Sequence, residues 1–170
     1  SPIDIPHRTI IPTGNPQKTL QSIFDFFSGY ELDRIGIGTF GPVILDSKSK
    51  NYGLLISESK IGWKGINLFK EFSSNFKARI NIDTDVNAAA IGEYNYGAGQ
   101  SCQVLIYITI GTGIGGGVLV DGKPYTGNLH LEMGHIQVPN PDNFEGVCRI
   151  HGDCWEGLAS GPSIEARWGV

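Results

Sequence analysis

The chain has 170 residues, of which 40% are apolar and 10% aromatic, which is enough for a sizeable core. Its net charge of −4 and the absence of a lysine or arginine run argue against nucleic acid or an anionic membrane surface as its partner. No apolar segment approaches the roughly 20 residues of a membrane-spanning helix, and residues 1–8 are not a signal peptide. These features predict a globular protein that acts on small molecules, and three cysteines, two of them spaced like metal ligands, favour a reducing cytoplasm over a disulfide framework.

The first part of the chain alternates predicted helices and strands. Asn15 can cap a helix that begins at Pro16, whose apolar residues recur every three or four positions, so this helix is expected to face the core. A strand is predicted over residues 34–40, and Gly41 and Pro42 end it. Four apolar residues are predicted on the buried side of a second helix: Ile66, Phe69, Phe72 and Phe76.

The next predicted strand, residues 78–82, leads to Asp85 and then to an alanine-rich helix over residues 87–96. Open α/β sheets bind ligands at the carboxyl ends of their strands, which makes Asp85 a candidate functional carboxylate. The alternative is that Asp85 only stabilises the helix N-terminus. A change to β-rich sequence at residues 97–100 predicts a domain boundary there.

The following β-rich stretch is interrupted by five glycines: Gly111, Gly113, Gly115, Gly116 and Gly117. Strands are predicted over residues 104–110 and 118–120, and Cys102 at the entrance of the first is interpreted as a core residue. The glycine-rich loop between the strands can turn backbone amides toward an anion such as phosphate, or it can be an irregular hairpin without a ligand. Asp121 and Gly122 predict a tight turn between antiparallel strands.

Two cysteines and two histidines are spaced like the ligands of a metal. Cys148 and Cys154 flank His151 with two residues between neighbours, and His135 lies thirteen positions before Cys148. Two thiolates and two imidazoles fill a tetrahedral Zn²⁺ shell, so the metal would be structural and would order the loop of residues 139–147. The alternative is two ordinary histidines and two unpaired thiols.

Four motifs together resemble the ROK family of sugar kinases and repressors: residues 83–90, residues 111–117, residues 132–135 and residues 148–162. The Cys-x2-His-x2-Cys spacing before Trp155 and Glu156 is closer to the family's bacterial zinc-containing fructokinases than to its glucokinases and repressors. The resemblance implies an α/β, actin/hexokinase-like (ribonuclease H-like) two-domain fold, with lobes at 1–98 and 99–170. Because family members carry an N-terminal phosphate loop and continue beyond a position like Val170, an internal fragment is expected.

The resemblance also implies roles for individual residues, with Asp85 as the general base. Sugar contacts are expected from Gly41, Pro42, Thr84, Asp85, Glu132, His135 and Glu156. Nucleotide phosphates are expected against Gly111, Thr112, Gly113, Gly115 and Gly116. Zinc is expected at His135, Cys148, His151 and Cys154, so that His135 would bind the metal through one ring nitrogen and orient the sugar through the other. Thr84 replaces an Asn of many relatives, which leaves the sugar preference open.

The implied reaction is ATP-dependent phosphorylation of a hexose, with fructose as the first candidate, Mg²⁺ on the nucleotide and zinc as a structural ion. The alternatives are a kinase for glucose, mannose or an N-acetylhexosamine, a sugar-sensing repressor core without kinase activity, and a zinc-stabilised interaction module without sugar affinity. No nucleic acid or membrane partner is expected. The sequence does not give the oligomeric state and leaves a homodimer open.

Overall fold

A computed structural model describes residues 5–58, 60–126 and 131–169. The helices, in chain order, are α1 (Pro16–Phe27), α2 (Leu68–Asn75), α3 (Asp85–Tyr96), α4 (Trp155–Ala159) and α5 (Gly161–Trp168). The strands are β1 (Arg34–Thr39), β2 (Arg79–Thr84), β3 (Val104–Ile110), β4 (Ile114–Val120) and β5 (Lys123–Pro124). β1 pairs with β2, and β3, β4 and β5 form an antiparallel sheet in that order. The mixed α/β class is therefore confirmed.

The chain divides into two compact units. The first unit comprises Ser1–Gly36 and Gly41–Asn81, and the second comprises Ile37–Phe40 and Ile82–Val170. The lobe boundary near residue 98 stays a prediction. Among the described residues, no helix combines the length and the apolarity that a bilayer crossing needs.

Side-chain caps fix the start of both helices of the first unit. The side chain of Asn15 accepts a hydrogen bond from the Lys18 amide at 3.2 Å, which confirms the predicted start of α1. The side chain of Asn67 accepts from the Lys70 amide at 2.9 Å in the same way. α2 therefore begins after Ile66, which the sequence analysis placed inside this helix.

Aromatic rings fill the space between α1 and α2. Phe24 meets Phe72 edge to face, with ring centroids 5.2 Å apart, and lies 5.7 Å from Phe76. Leu68 and Phe72 are the buried residues of α2. Phe69 was predicted on this buried side but is 36% exposed, because the buried stripe runs through Leu68 instead.

The second unit differs from the prediction at its glycine-rich segment. β4 begins at Ile114, which pairs with Ile110, so only residues 111–113 form a turn between β3 and β4. The predicted tight turn at Asp121 and Gly122 is confirmed, since both residues have positive φ and join β4 to β5. Cys102, predicted to be a core residue, is exposed.

Candidate active site and metal centre

Asp85 is the first residue of α3 and follows β2 without a loop. Its Oδ1 accepts a hydrogen bond from the Val86 amide at 2.9 Å, and its side chain is exposed. The end of β1 lies close by, because a Cβ on Gly38 would lie 3.3 Å from the Asp85 Cα. Strand end, helix start and an exposed carboxylate thus coincide, as the sequence predicted.

The two polar residues before Asp85 serve the local fold. Thr84 is 2% exposed and caps α3, its hydroxyl accepting from the Asn87 amide at 3.2 Å. Asp83 accepts through Oδ1 from the Thr84 amide at 2.8 Å and from the Asn87 side-chain amide at 2.7 Å. These bonds hold the N-terminus of α3 in place and leave Asp85 as the exposed acid. A sugar contact from Thr84 stays a prediction.

Residues 111–113, called the glycine turn below, are held by one hydrogen bond within the turn and one to Gly161. The Gly111 amide donates to the Gly113 carbonyl at 2.9 Å, and the Gly111 carbonyl accepts from the Gly161 amide at 2.7 Å. Gly111 and Thr112 are exposed, and a Cβ on Gly111 would meet open space. Gly111 and Thr112 are therefore accessible to a ligand. Packing does not require glycine at position 111.

The remaining glycines of the motif lie in β4, where close packing explains them, a reason that the sequence did not predict. A Cβ on Gly115 would lie 2.9 Å from a Val86 methyl, and one on Gly116 would lie 2.8 Å from the Met133 sulfur. A Cβ on Gly117 would lie 2.7 Å from the Val86 carbonyl oxygen. The three glycines let α3 and the following segment approach β4, and phosphate contacts from Gly115 and Gly116 stay predictions.

Glu156 lies in the first turn of α4 and reaches the glycine turn. Its Oε2 accepts a hydrogen bond from the Ile114 amide at 2.9 Å. A Cβ on Gly113 would lie 2.5 Å from the same oxygen. Glu156, predicted as a sugar contact, thus also contacts the segment predicted to bind phosphate.

Glu132 and His135 bracket a single 3-10 turn over Met133–His135. Glu132 has φ of 46°, and its Oε2 lies 4.0 Å from His135 Nε2. Gly134 is buried against β4, because a Cβ there would lie 1.9 Å from the Ile114 carbonyl oxygen. This tight contact places the two predicted sugar contacts beside the start of β4.

His135, Cys148, His151 and Cys154, called the Cys/His cluster below, come together as predicted. Each offers one ligand atom, and these atoms all lie within 4.8 Å of one another. His135 Nδ1 lies 3.7 Å from the Cys148 sulfur and 3.6 Å from the Cys154 sulfur. Zinc bonds of about 2.3 Å to sulfur and about 2.0 Å to nitrogen, at tetrahedral angles, put such atoms about 3.5 Å apart. The donor set and its spacing fit zinc.

Backbone hydrogen bonds hold the segments that carry the Cys/His cluster. The Gly152 amide donates to the Cys148 carbonyl at 2.9 Å, and Gly152 has φ of 63°, which favours glycine. The Trp155 amide donates to the Ile136 carbonyl at 2.9 Å. Burial raises the pKa of the Cys154 thiol, so a metal that takes this sulfur as thiolate must displace a proton.

The loop of residues 139–147 has a second restraint, which sequence patterns do not indicate. The Arg167 guanidinium donates to both carboxylate oxygens of Asp142, with one N to O distance of 3.0 Å, and lies 4.5 Å from the Phe144 ring centre. The Asn140 side-chain amide donates to the Phe144 carbonyl at 2.9 Å. The loop is therefore tied to α5 as well as to the Cys/His cluster.

Gly41 and Pro42 belong to the first unit. The Pro42 carbonyl accepts from the Ile56 amide at 3.0 Å. Their predicted sugar contact stays a prediction. Asn87 was not predicted as a site residue; its side-chain amide, in the first turn of α3, donates to Asp83 near the end of β2.

Comparison with known proteins identifies the family. A family model described as the ROK family matches residues 4–170. Fructokinases from Zymomonas mobilis subsp. mobilis and Lactococcus lactis subsp. cremoris are each 43% identical to the chain, over 94% and 93% of it. A glucokinase from Streptomyces coelicolor is 33% identical over 80% of the chain. The chain spans 56%, 54% and 41% of the lengths of these three relatives.

Solved structures agree on the fold. The chain is 29% identical to a ROK family glucokinase from Streptomyces griseus in complex with glucose and AMPPNP, with a TM-score of 0.70, and covers 48% of it with 89% of its own length. The ROK hexokinase from Thermus thermophilus is 24% identical, with a TM-score of 0.73 over 94% of this chain and 53% of that one. The chain belongs to the ROK family and shares its actin/hexokinase-like fold.

Proposed function

We propose that the protein containing this chain catalyses ATP-dependent phosphorylation of fructose to fructose 6-phosphate. The observation that carries the proposal is the exposed carboxylate of Asp85, held at the junction of β2 and α3 by the capped and hydrogen-bonded residues before it. The fructokinases at 43% identity support fructose as the sugar. Mg²⁺ bound to the nucleotide phosphates belongs to the same proposal.

In the proposed reaction, Asp85 accepts the proton of the fructose 6-hydroxyl while that oxygen attacks the γ-phosphorus of ATP and ADP leaves. Phosphoryl transfer asks the protein mainly for positioning and charge stabilisation. Exposed backbone at Gly111 and Thr112 is where we place the phosphates. Glu132, His135 and Glu156 would bind the sugar hydroxyls, together with Gly41, Pro42 and Thr84.

We also infer that the Cys/His cluster binds structural zinc. His135 Nδ1 faces the two sulfurs, whereas its Nε2 faces Glu132 at 4.0 Å. Ligation through Nδ1 would fix the ring and leave Nε2 for a sugar hydroxyl, so the metal would shape the sugar site indirectly. Four protein ligands leave no open position on zinc, which argues for a structural ion.

A kinase for glucose is the second candidate, because the Streptomyces coelicolor glucokinase is 33% identical to the chain. Turnover measured with ATP and a panel of fructose, glucose, mannose and N-acetylhexosamines separates these substrates. A sugar-sensing regulator without kinase activity would bind a sugar and turn over none. An interaction module would bind no sugar at all.

The test of Asp85 is the Asp85→Asn variant of the protein at its full natural length. Asparagine keeps an acceptor oxygen but cannot take up a proton, so kcat should fall by roughly 10²–10⁴-fold with little change in fructose affinity. Asp83→Asn is the matched control, since its amide oxygen can still accept from the Thr84 amide and from Asn87. If Asp85→Asn keeps most of the wild-type kcat while Asp83→Asn loses it, the base is Asp83.

A further inference from the structure

Glu156 contacts the segment that the proposed reaction assigns to phosphate binding. Its half-buried carboxylate accepts from the Ile114 amide, at the point where the glycine turn enters β4. While this hydrogen bond is made, a Cβ at position 113 would lie 2.5 Å from Oε2 and 3.8 Å from Oε1, so a side chain there would displace the carboxylate. The position of this carboxylate and the path of the turn therefore depend on each other.

Hydrogen bonds within residues 156–163 stabilise the segment that carries Glu156. The Ser163 hydroxyl donates to the Gly157 carbonyl at 2.8 Å and lies 3.1 Å from the Glu156 carbonyl oxygen. Ser163 is fully buried, and the adjoining Gly161 amide donates to the Gly111 carbonyl. The same segment thus holds the glycine turn at both ends: the Glu156 side chain accepts from the Ile114 amide, and the Gly161 amide donates to the Gly111 carbonyl.

We propose that Glu156 is a positioning residue for the glycine turn, and that through it the sugar subsite and the nucleotide phosphate subsite are energetically coupled. This inference rests on the proposed function. A sugar hydroxyl bound to the carboxylate would hold it in the orientation that bonds the Ile114 amide, so a nucleotide would meet a turn that is already ordered. Thermodynamic linkage requires the same factor in the reverse direction.

The first experiment substitutes residues of the glycine turn and measures fructose affinity. Fructose Kd is determined by calorimetry without nucleotide for the full-length wild type, Gly113→Ala and Gly111→Ala. The Cβ of Gly113→Ala pushes the Glu156 carboxylate off the Ile114 amide, so fructose affinity should fall about tenfold, the usual effect of losing a hydrogen bond to a charged group. Gly111→Ala points into open space and should leave fructose affinity unchanged.

The second experiment substitutes the proposed sugar contacts and measures AMPPNP affinity. The Kd of AMPPNP is determined without sugar for Glu156→Ala, Glu156→Gln and Glu132→Ala. Glu156→Ala should lower AMPPNP affinity about tenfold, whereas Glu156→Gln should recover most of it, because its amide oxygen can still accept from the Ile114 amide. Glu132→Ala should leave AMPPNP affinity unchanged, since the Ile114 amide is bonded by Glu156.

The outcomes separate the coupling from the proposed function. A wild-type protein that neither binds nor phosphorylates fructose overturns the proposed function. A wild type that phosphorylates fructose, with unchanged fructose affinity in Gly113→Ala or unchanged AMPPNP affinity in Glu156→Ala, overturns the coupling alone. Metal content and circular dichroism confirm that each variant is folded, and if Gly113→Ala does not fold, the three nucleotide measurements decide.

Discussion

Different interactions stabilise the interior of each of the two units. In the first unit, large aromatic rings such as Phe24, Phe72 and Phe76 fill the space between two helices. In the second unit, glycines of β4 let backbone approach backbone, and the Cys/His cluster gathers a segment with few apolar residues. Burial of apolar area stabilises the first arrangement, whereas the second depends on close fit and, at the proposed zinc site, on metal–ligand bonds.

Because of this difference, different kinds of substitution should destabilise each unit. An aromatic core loses stability when a ring is shortened, because the remaining cavity loses its dispersion contacts. A glycine interface is instead damaged when a methyl group is added. A metal cluster fails when a ligand or the ion is removed, and only the segments tied by that ion should then open.

The largest expected effect is that of removing the proposed zinc. Structural zinc sites bind with apparent free energies of roughly 10–16 kcal/mol in zinc-finger peptides, and that energy is folding energy. Chelation, or Cys154→Ser, should abolish amide hydrogen-exchange protection at Gly152 and Trp155 and keep it at Phe76, whose amide donates within the first unit. Cys102→Ser is the matched control and should keep one zinc per chain by elemental analysis. Zinc near zero in the wild type would contradict the assignment.

A large effect is expected from shortening the first unit's aromatic core. Phe72→Ala should lower the free energy of unfolding by about 3–5 kcal/mol, because Phe72 is 5% exposed and meets the Phe24 ring. Phe69→Ala on the same helix should cost less than about 1 kcal/mol, since that side chain is 36% exposed. Urea denaturation measures both. Equal losses would show that α2 is packed differently.

Alanine substitutions at two glycines of the second unit, the packed Gly117 and the open Gly92, should change stability in opposite directions. Gly117→Ala should destabilise the second unit by roughly 1–3 kcal/mol, because its Cβ would lie 2.7 Å from the rigid Val86 carbonyl. Gly92→Ala in α3 meets no atom within 4 Å and should stabilise by about 0.5–1 kcal/mol through helix propensity. Thermal unfolding of the two variants tests this sign difference, and a stabilising Gly117→Ala would refute the packing explanation.

The smallest effect is expected at Asp142. Hydrogen bonding from the Arg167 guanidinium lowers the pKa of the Asp142 carboxyl. A carboxyl with a lowered folded-state pKa contributes stability above its unfolded pKa of about 4, and this contribution is lost as pH falls through the folded pKa. The melting temperature of Asp142→Asn should therefore lie slightly below that of the wild type at pH 7 and equal it at pH 2. A difference that persists at pH 2 would assign the effect to packing instead of charge.

Short-range patterns in the sequence determined several elements and the Cys/His cluster. The Asn15 cap, the turn at Asp121 and Gly122, and the Cys148-x2-His151-x2-Cys154 spacing are all confirmed. Each of them involves partners within a few residues, and the preferred backbone geometry of such a span follows from its residue types. Only His135 is brought in from thirteen residues away, and its spacing from Cys148 is still visible in the sequence.

Tertiary structure alone decided what the glycines of β4, Glu156 and Arg167 contact. Glycine permits both an anion-binding loop and a close strand-to-helix contact, and the choice depends on Val86, which lies about 30 residues earlier. Glu156 meets the Ile114 amide across 42 positions, and Arg167 meets Asp142 across 25. No periodicity or spacing rule reaches over such separations, because these contacts form only when independently determined elements pack together.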